Sequence, residues 1–279
     1  DSGMLKDLDE ARRRSVVDEL WNDLRRVREE APLVHNITNF VVMNNTANAL
    51  LAVGALPVMA HAVEEVAEMT ALAGALVINI GTLAREWIEA MVTAMATARE
   101  RGIPIVFDPV GAGATTFRTH TCLDLLGRVA PAVIRGNASE IMALAGCDGR
   151  TKGVDSSAAA EAAEDAALLL ARRYSCAVVV SGAVDLLVDG KRKFLVRNGH
   201  PLMPKVTGLG CTATALVGAF CAVNGDALTA ARHAMTVMGI CGELAAAQAA
   251  GPGSMQVHFI DALYTLDGEQ LRAHWLDPR

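Results

Sequence analysis

The chain has 279 residues, 52% of them hydrophobic but only 4% aromatic, and a formal net charge of −6. Its core is therefore built mainly from Val, Leu, Ile, Ala and Met, and the length suits one α/β domain. The acidic balance, with no basic run longer than the three residues of Arg12-Arg13-Arg14 or Lys191-Arg192-Lys193, argues against nucleic acid as a principal partner, and no uncharged apolar run approaches the ~18–20 residues of a membrane span.

A charged amphipathic helix, LDEARRRSVVDELWNDLRRVREEAP, is predicted to end at Pro32, so that residues 1–31 form an N-terminal helical extension. Short apolar runs then alternate with helical patterns. PLVHNIT reads as strand and turn, FVVMNNTANALLAVG as a helix stopping at Gly54, LPVMA as a short strand, VEEVAEMTALAG as a helix and ALVINIG as a strand. REWIEAMVTAMATARERG is a helix, IPIVFDP a buried strand, FRTHTCLDLLGRV a helix, AVIRG a strand, and NASEIMALAG a helix with Asn137 as its N-cap. The polar CDGRTKGVDSS is expected to be a surface loop. AAAEAAEDAALLLARRY follows as a helix, CAVVVSG as a strand, and DLLVDGKRKFLVRNG as a hairpin turning at Asp189-Gly190. The remainder is predicted helical apart from a loop around Gly251-Pro252-Gly253. No linker or repeat divides this alternation, which predicts a single α/β domain over residues 1–279, its mostly parallel central sheet covered by helices on both faces.

Cys122, Cys147, Cys176, Cys211, Cys221 and Cys241 include no Cys-x-x-Cys pair, and no charged-then-apolar leader opens the sequence. Free thiols in a cytoplasmic protein are the expectation. The small-residue helices NNTANALLAVG and CGELAAAQAA fit either deep burial in a monomer or a subunit interface.

In open parallel sheets ligands bind beyond the C-terminal ends of the strands, and four polar clusters fall at such ends. VFDPVGAGA puts Asp108 directly after an apolar strand, and VIRGNASE puts Arg135, Asn137 and Glu140 at a strand-to-helix turn. VVVSGAVD puts Ser181 and Gly182 after the most apolar strand, and VTGLGC puts Gly208, Gly210 and Cys211 at a helix start. Gly208 and Gly210 permit a tight turn whose N–H groups can approach an anion, and the helix adds the positive end of its dipole. Such a site suits a phosphate gaining charge during transfer, although a glycine-capped helix entry has the same local pattern. GLGCTA lacks the third glycine of a dinucleotide fingerprint, and no Gly-Lys-Ser/Thr marks a Walker loop. Asp108 and Glu140 are candidate Mg²⁺ ligands, direct or through water, or else capping or surface acids. Arg135 could clamp phosphate oxygens or pair with a surface carboxylate. Ser181 could donate to a phosphate or simply end a strand. His35, His61, His200 and His258 show no metal-ligand spacing and are assigned to packing or surface, His35 and Asn39 alone lying in a segment where a pocket contact stays open.

Together, HNITNFVVMNNTANALLAVGALPVMA, INIGTL, VFDPVGAGA, IRGNASEI and TGLGC resemble the hydroxyethylthiazole kinase family, of the ribokinase-like fold, over about Leu33 to Val257 and in family order. The last three motifs alone mark only the superfamily; the first two narrow it. The resemblance implies ATP- and Mg²⁺-dependent phosphorylation of 4-methyl-5-(2-hydroxyethyl)thiazole, a salvage step towards thiamine. It implies that Met59 and Gly208 contact the thiazole alcohol, that Arg135, Ser181 and Asn137 belong to the ATP side, and that Glu140 of the N-x-x-E element lies near the metal. Many relatives carry threonine at the Ser181 position, and serine keeps the hydroxyl. A homotrimer with its substrate pocket between neighbouring subunits is also implied.

Most ribokinase-like enzymes end the glycine turn in aspartate, the base that receives the hydroxyl proton; this sequence has Cys211, a departure that thiazole kinases often show. A helix N-terminus lowers a thiol pKa from about 8.5, while a neighbouring triphosphate raises it, so sequence leaves the sign open. General base or hydroxyl positioner is the expected role, with an inert structural thiol and a nucleophile as alternatives. An alcohol that loses its proton late in a loose transition state needs only a weak base. Three other functions compete: a kinase of a pyrimidine or pyridine alcohol, an ADP-dependent NAD(P)H-hydrate dehydratase, and a nucleotide-binding sensor without catalysis. The dehydratase chemistry would favour the aspartate missing at position 211.

Overall fold

A computed structural model describes residues 2–147 and 156–278; the surface loop expected at 147–157 falls largely outside the described residues. The first helix, α1 (Ser2–Glu30), gives way at Ala31, which has a positive φ of 45°, just before Pro32. The chain then runs β1 (Leu33–Ile37), α2 (Met43–Val53), β2 (Leu56–Met59), α3 (Val66–Leu72), β3 (Ala75–Asn79), α4 (Arg85–Arg101) and β4 (Ile105–Asp108). Next come α5 (Thr116–Arg128), β5 (Val133–Asn137), α6 (Ala138–Leu144), α7 (Ser156–Tyr174) and β6 (Ala177–Ser181). The predicted hairpin follows as β7 (Asp185–Val188) and β8 (Lys193–Val196), then α8 (Leu209–Val223), α9 (Ala227–Gln248), α10 (Pro252–Thr265) and α11 (Gly268–His274). The loop expected around Gly251-Pro252-Gly253 is present but ends earlier, with α9 stopping at Gln248 and α10 starting at Pro252. Proline lacks only an N–H that no first-turn residue uses, and its fixed φ suits the first helical position, with Gly251 as the cap.

Among the described residues eight strands form one sheet in the order β2-β1-β3-β4-β5-β6-β7-β8, parallel through β6 and antiparallel in the hairpin. Strand side chains alternate between faces, which splits the core into two layers. Val34, Val77, Val106, Val133 and Val179 pack with residues of α1, α2, α8, α9 and α10. Leu76, Ile78, Phe107, Ile134 and Val178 pack with residues of α4, α5, α6 and α7. Within α1, Val17, Leu20, Leu24 and Val27 recur every three or four residues and are buried in the first layer, whereas Gly3 to Arg12 are exposed. No described helix is long and apolar enough to cross a membrane.

Candidate active site

Parallel pairing brings strand ends onto one edge: Asn79 is in register with Asp108, and Asn137 with Ser181. Arg135, on β5, is only 6% exposed and joins three of the predicted clusters. Its Nη2 donates to Asp108 Oδ2 (3.2 Å), its Nη1 to Ser181 Oγ (2.7 Å) and its Nε to Thr214 Oγ1 (2.6 Å). Thr214 in turn donates to Asp108 Oδ2 (2.7 Å). The partner of Arg135 is thus a fully buried carboxylate, not the surface one considered from sequence. Burial pushes Asp108 upward against the pull of the Arg135 charge and the Thr214 hydroxyl. Burial opposes the Arg135 charge as well, but Asp108 beside it holds the guanidinium up. Asp108 Oδ1 is buried and has no hydrogen-bond partner.

The fourth cluster arrives with α8. Gly208 caps this helix at φ 82°, where an L side chain is strained, and a Cβ there would meet Val42 Cγ1 at 2.7 Å. The Thr212 N–H closes the first helical bond on Gly208 O (2.8 Å), so the N–H groups of Leu209, Gly210 and Cys211 lead the positive end of the helix. A Cβ on Gly210 would lie 3.1 Å from Arg135 Nη2; its absence lets the guanidinium sit against this helix end. Cys211 is half-buried, and Asn39 Nδ2, in the turn after β1, donates to its Sγ at 3.6 Å and to Asn79 Oδ1 at 2.9 Å. Burial and the Asp108 charge push the Cys211 thiol up, against the Asn79 amide, the Arg135 charge and the Asn39 amide. The net direction from the surrounding protein groups is upward.

Glu140 is engaged by backbone. Its Oε1 accepts the Asn137 N–H (2.9 Å) and its Oε2 the Gly111 N–H (2.7 Å), while Asn137 Oδ1 accepts the Glu140 N–H (2.9 Å). The pair is a capping box on α6 that also pins the loop after β4. Burial pushes Glu140 up, the Asn137 N–H opposes it, and the nearby Asp108 charge pushes it further. Among the described residues no three His, Cys, Asp or Glu side chains converge as a metal site. The unpartnered Asp108 Oδ1 and the remaining lone pairs of Glu140 nevertheless fit a hard cation that shares its coordination with phosphate oxygens and water.

Met59 is the last residue of β2, in register with Asn36 and half-buried, with β1, β3, β4 and β5 between it and Ser181. His35 is a packing residue, its ring nitrogens 2.9 Å from Thr70 Oγ1 and 2.9 Å from Ala60 O. His61 packs on Trp87 and contacts the Thr38 backbone. Three residues of the site were not singled out by sequence. Thr214 stands one turn beyond Gly210, and Asn79 is the polar end of the apolar ALVIN, so the strand-end argument that picks Asp108 applies to it equally. Arg118 carried no local signal: it ties the loops after β3 and β4 by donating to the carbonyls of Ile80, Gly81 and Val110.

Asp185 shapes the turn after Ser181, its Oδ1 accepting the Gly182 N–H at 3.0 Å. Burial pushes this carboxyl up to about 6, against the Gly182 N–H and the Arg135 charge. A folded pKa above the unfolded one favours the neutral acid, so stability falls as pH rises from the unfolded value through the folded one and stays lower above it. Asp185→Asn keeps an acceptor for Gly182 and removes the charge. It is expected to raise stability by about 2–3 kcal/mol at pH 8 and by almost nothing at pH 4, read by thermal unfolding at both.

Comparison with known proteins agrees with this geometry. The pattern of the Hydroxyethylthiazole kinase family matches residues 24–269. A hydroxyethylthiazole kinase of Nitratidesulfovibrio vulgaris is 57% identical over 256 residues, covering 92% of this chain and 96% of its own. The solved structure of a hydroxyethylthiazole kinase protein from Pyrococcus horikoshii OT3 superposes with a TM-score of 0.86 at 49% identity, covering 93% of this chain and 98% of that one. Pyridoxal kinase from Staphylococcus aureus is alike in fold alone, with a TM-score of 0.59 at 15% identity over 76% of this chain and 88% of its own, and the fold is ribokinase-like. With a family pattern spanning most of its length and a relative this similar, the chain belongs to the hydroxyethylthiazole kinase family.

Proposed function

We propose that this kinase transfers the γ-phosphoryl group of ATP to the hydroxyl of 4-methyl-5-(2-hydroxyethyl)thiazole, giving the thiazole phosphate used in thiamine synthesis. Family membership supports the substrate. The observation that carries the chemistry is Arg135, buried between Asp108, Ser181 and Thr214 and seated against the N-terminus of α8 beside Cys211.

In this reading Arg135 and Ser181 hold the nucleotide phosphates from the β5–β6 side, with Asn137 at the mouth of the same strands. The leading N–H groups of α8, freed by Gly208 and Gly210, face the phosphoryl group as charge grows on it. Met59 and Gly208 contact the thiazole alcohol, and Cys211 orients its hydroxyl for in-line attack. The oxygen bonds to phosphorus as the bond to ADP breaks, and the hydroxyl proton leaves late. The upward-shifted thiol supports positioning over a standing thiolate base. Asp108 and Glu140 are the residues that would hold Mg²⁺, which when bound neutralises phosphate charge.

Assembly as a homotrimer with its active sites between subunits extends the proposal. Phe40, Val41 and Leu51, large apolar side chains exposed after β1 and on α2, are surface that such an assembly would cover. The six free thiols support a cytoplasmic setting. The test is ADP release from Mg-ATP with and without the thiazole alcohol, with the product identified by mass. Thiazole-dependent release of ADP and a phosphorylated thiazole are expected. A folded, ATP-binding protein that the alcohol does not stimulate would overturn the substrate assignment and direct the assay to pyrimidine and pyridine alcohols.

A further inference from the structure

Among the described residues the buried side-chain atoms without a hydrogen-bond partner are Asn36 Oδ1, Thr46 Oγ1, Asn79 Nδ2 and Asp108 Oδ1. Asn79 is the one linked to Cys211 by geometry, through the Asn39 amide that contacts both. Its amide is not free to flip: Oδ1 accepts both Asn39 Nδ2 (2.9 Å) and the Gly81 N–H (2.9 Å), which holds the NH₂ group on the opposite side. That NH₂ is buried and has no hydrogen-bond partner of its own. Asn39, anchored on Asn79 through the same Nδ2, also donates to Cys211 Sγ at 3.6 Å. A buried donor with a fixed direction and no acceptor awaits a partner.

Resting on the phosphoryl transfer proposed above, we propose that Asn79 is the positioning residue of Cys211. Its Oδ1 fixes the Asn39 amide on the sulfur, and its own N–H closes on the same sulfur when the alcohol occupies the site. Two amide donors then hold two sides of the sulfur and leave the remaining side to the substrate hydroxyl. A purely structural Asn79 would only close the turn at Gly81, a role that Oδ1 alone performs.

Asn79→Asp keeps Oδ1 and exchanges the donor for a carboxylate oxygen, and Asn79→Ala, which removes the amide without adding a charge in register with Asp108, separates loss of the donor from the added charge. With Mg-ATP and the thiazole alcohol, kcat is expected to fall about tenfold or more with KM within about threefold, and the same substitution is expected to change kcat less than about twofold in a Cys211→Ala background. Unchanged kcat, or equal losses in both backgrounds, would overturn the proposal. A second readout needs no turnover: alkylation of Cys211 by iodoacetamide, resolved by peptide mass spectrometry with the exposed Cys147 as reference, is expected to slow about fivefold or more in Asn79→Asp. An unchanged Cys211 labelling rate overturns the role of Asn79 even in an enzyme that rejects the thiazole. A wild-type enzyme inactive on the thiazole whose Cys211 labelling depends on Asn79 overturns only the substrate. If Asn79→Asp does not fold, Asn79→Ala, which removes the amide altogether, carries both measurements.

Discussion

Cys211→Ala is expected to lower kcat by about 10²- to 10³-fold while KM for the thiazole alcohol stays within about threefold. The asymmetry follows from where the thiol sits. It is a small side chain in the first turn of α8, held by Asn39, so its removal leaves the phosphate-facing N–H groups and the Arg135 network in place. Cys211→Asp is expected to retain substantial turnover, because a carboxylate at this position restores an acceptor for the hydroxyl proton. The pH profile separates the two roles of the thiol. Burial and the Asp108 charge raise its pKa, so a base mechanism predicts kcat rising with pH beyond 9, and a positioning mechanism predicts a flat profile between pH 7 and 9. Full turnover in the alanine variant would remove Cys211 from the mechanism.

Arg135→Met should cost both stability and nucleotide binding. The substitution strands Asp108, fully buried, with Thr214 as its remaining donor. Removing one partner of a buried pair typically costs about 3–5 kcal/mol, which for a chain of this size lowers Tm by on the order of 10 °C. Without the guanidinium the folded pKa of Asp108 rises further above its unfolded value. The penalty is therefore greatest at alkaline pH and shrinks as acid neutralises the carboxyl. Thermal unfolding at pH 5 and pH 8 checks the sign; an equal deficit at both would contradict it. Adding Asp108→Asn removes the stranded charge and is expected to recover most of the stability but none of the ATP affinity, read by calorimetric titration. Recovered affinity would show that Arg135 acts on the fold rather than on phosphate.

Much of the architecture was legible in order. Strands buried on both faces must be apolar throughout, so VFD, VIR and VVVS stand out against helices of period 3.6, and each ends in a polar residue at the edge where parallel strands expose their C-terminal ends. That reasoning reached Asp108 and Ser181 at their strand ends, whereas Arg135 lies inside β5 and Cys211 was reached through the glycine turn, no strand directly preceding α8. It set the break around Gly251-Pro252-Gly253 about two residues late, because the residues that break a chain also start the next helix. It could not anticipate that both oxygens of Glu140 are taken up by the N–H groups of Asn137 and Gly111, one of them on a loop from a different strand.

Sequence alone determined the alternation of elements, the glycine entry to α8 and the chemical types gathered at the sheet edge, because periodicity, capping and backbone freedom act over a few residues. Tertiary structure decided who meets whom. That Arg135 bridges Asp108, Ser181 and Thr214, that Asn39 links Asn79 to Cys211, and that the thiol shifts upward all depend on strand order and burial. Both bring together charges and donors far apart in the chain, and burial at the sheet edge pushes the thiol up.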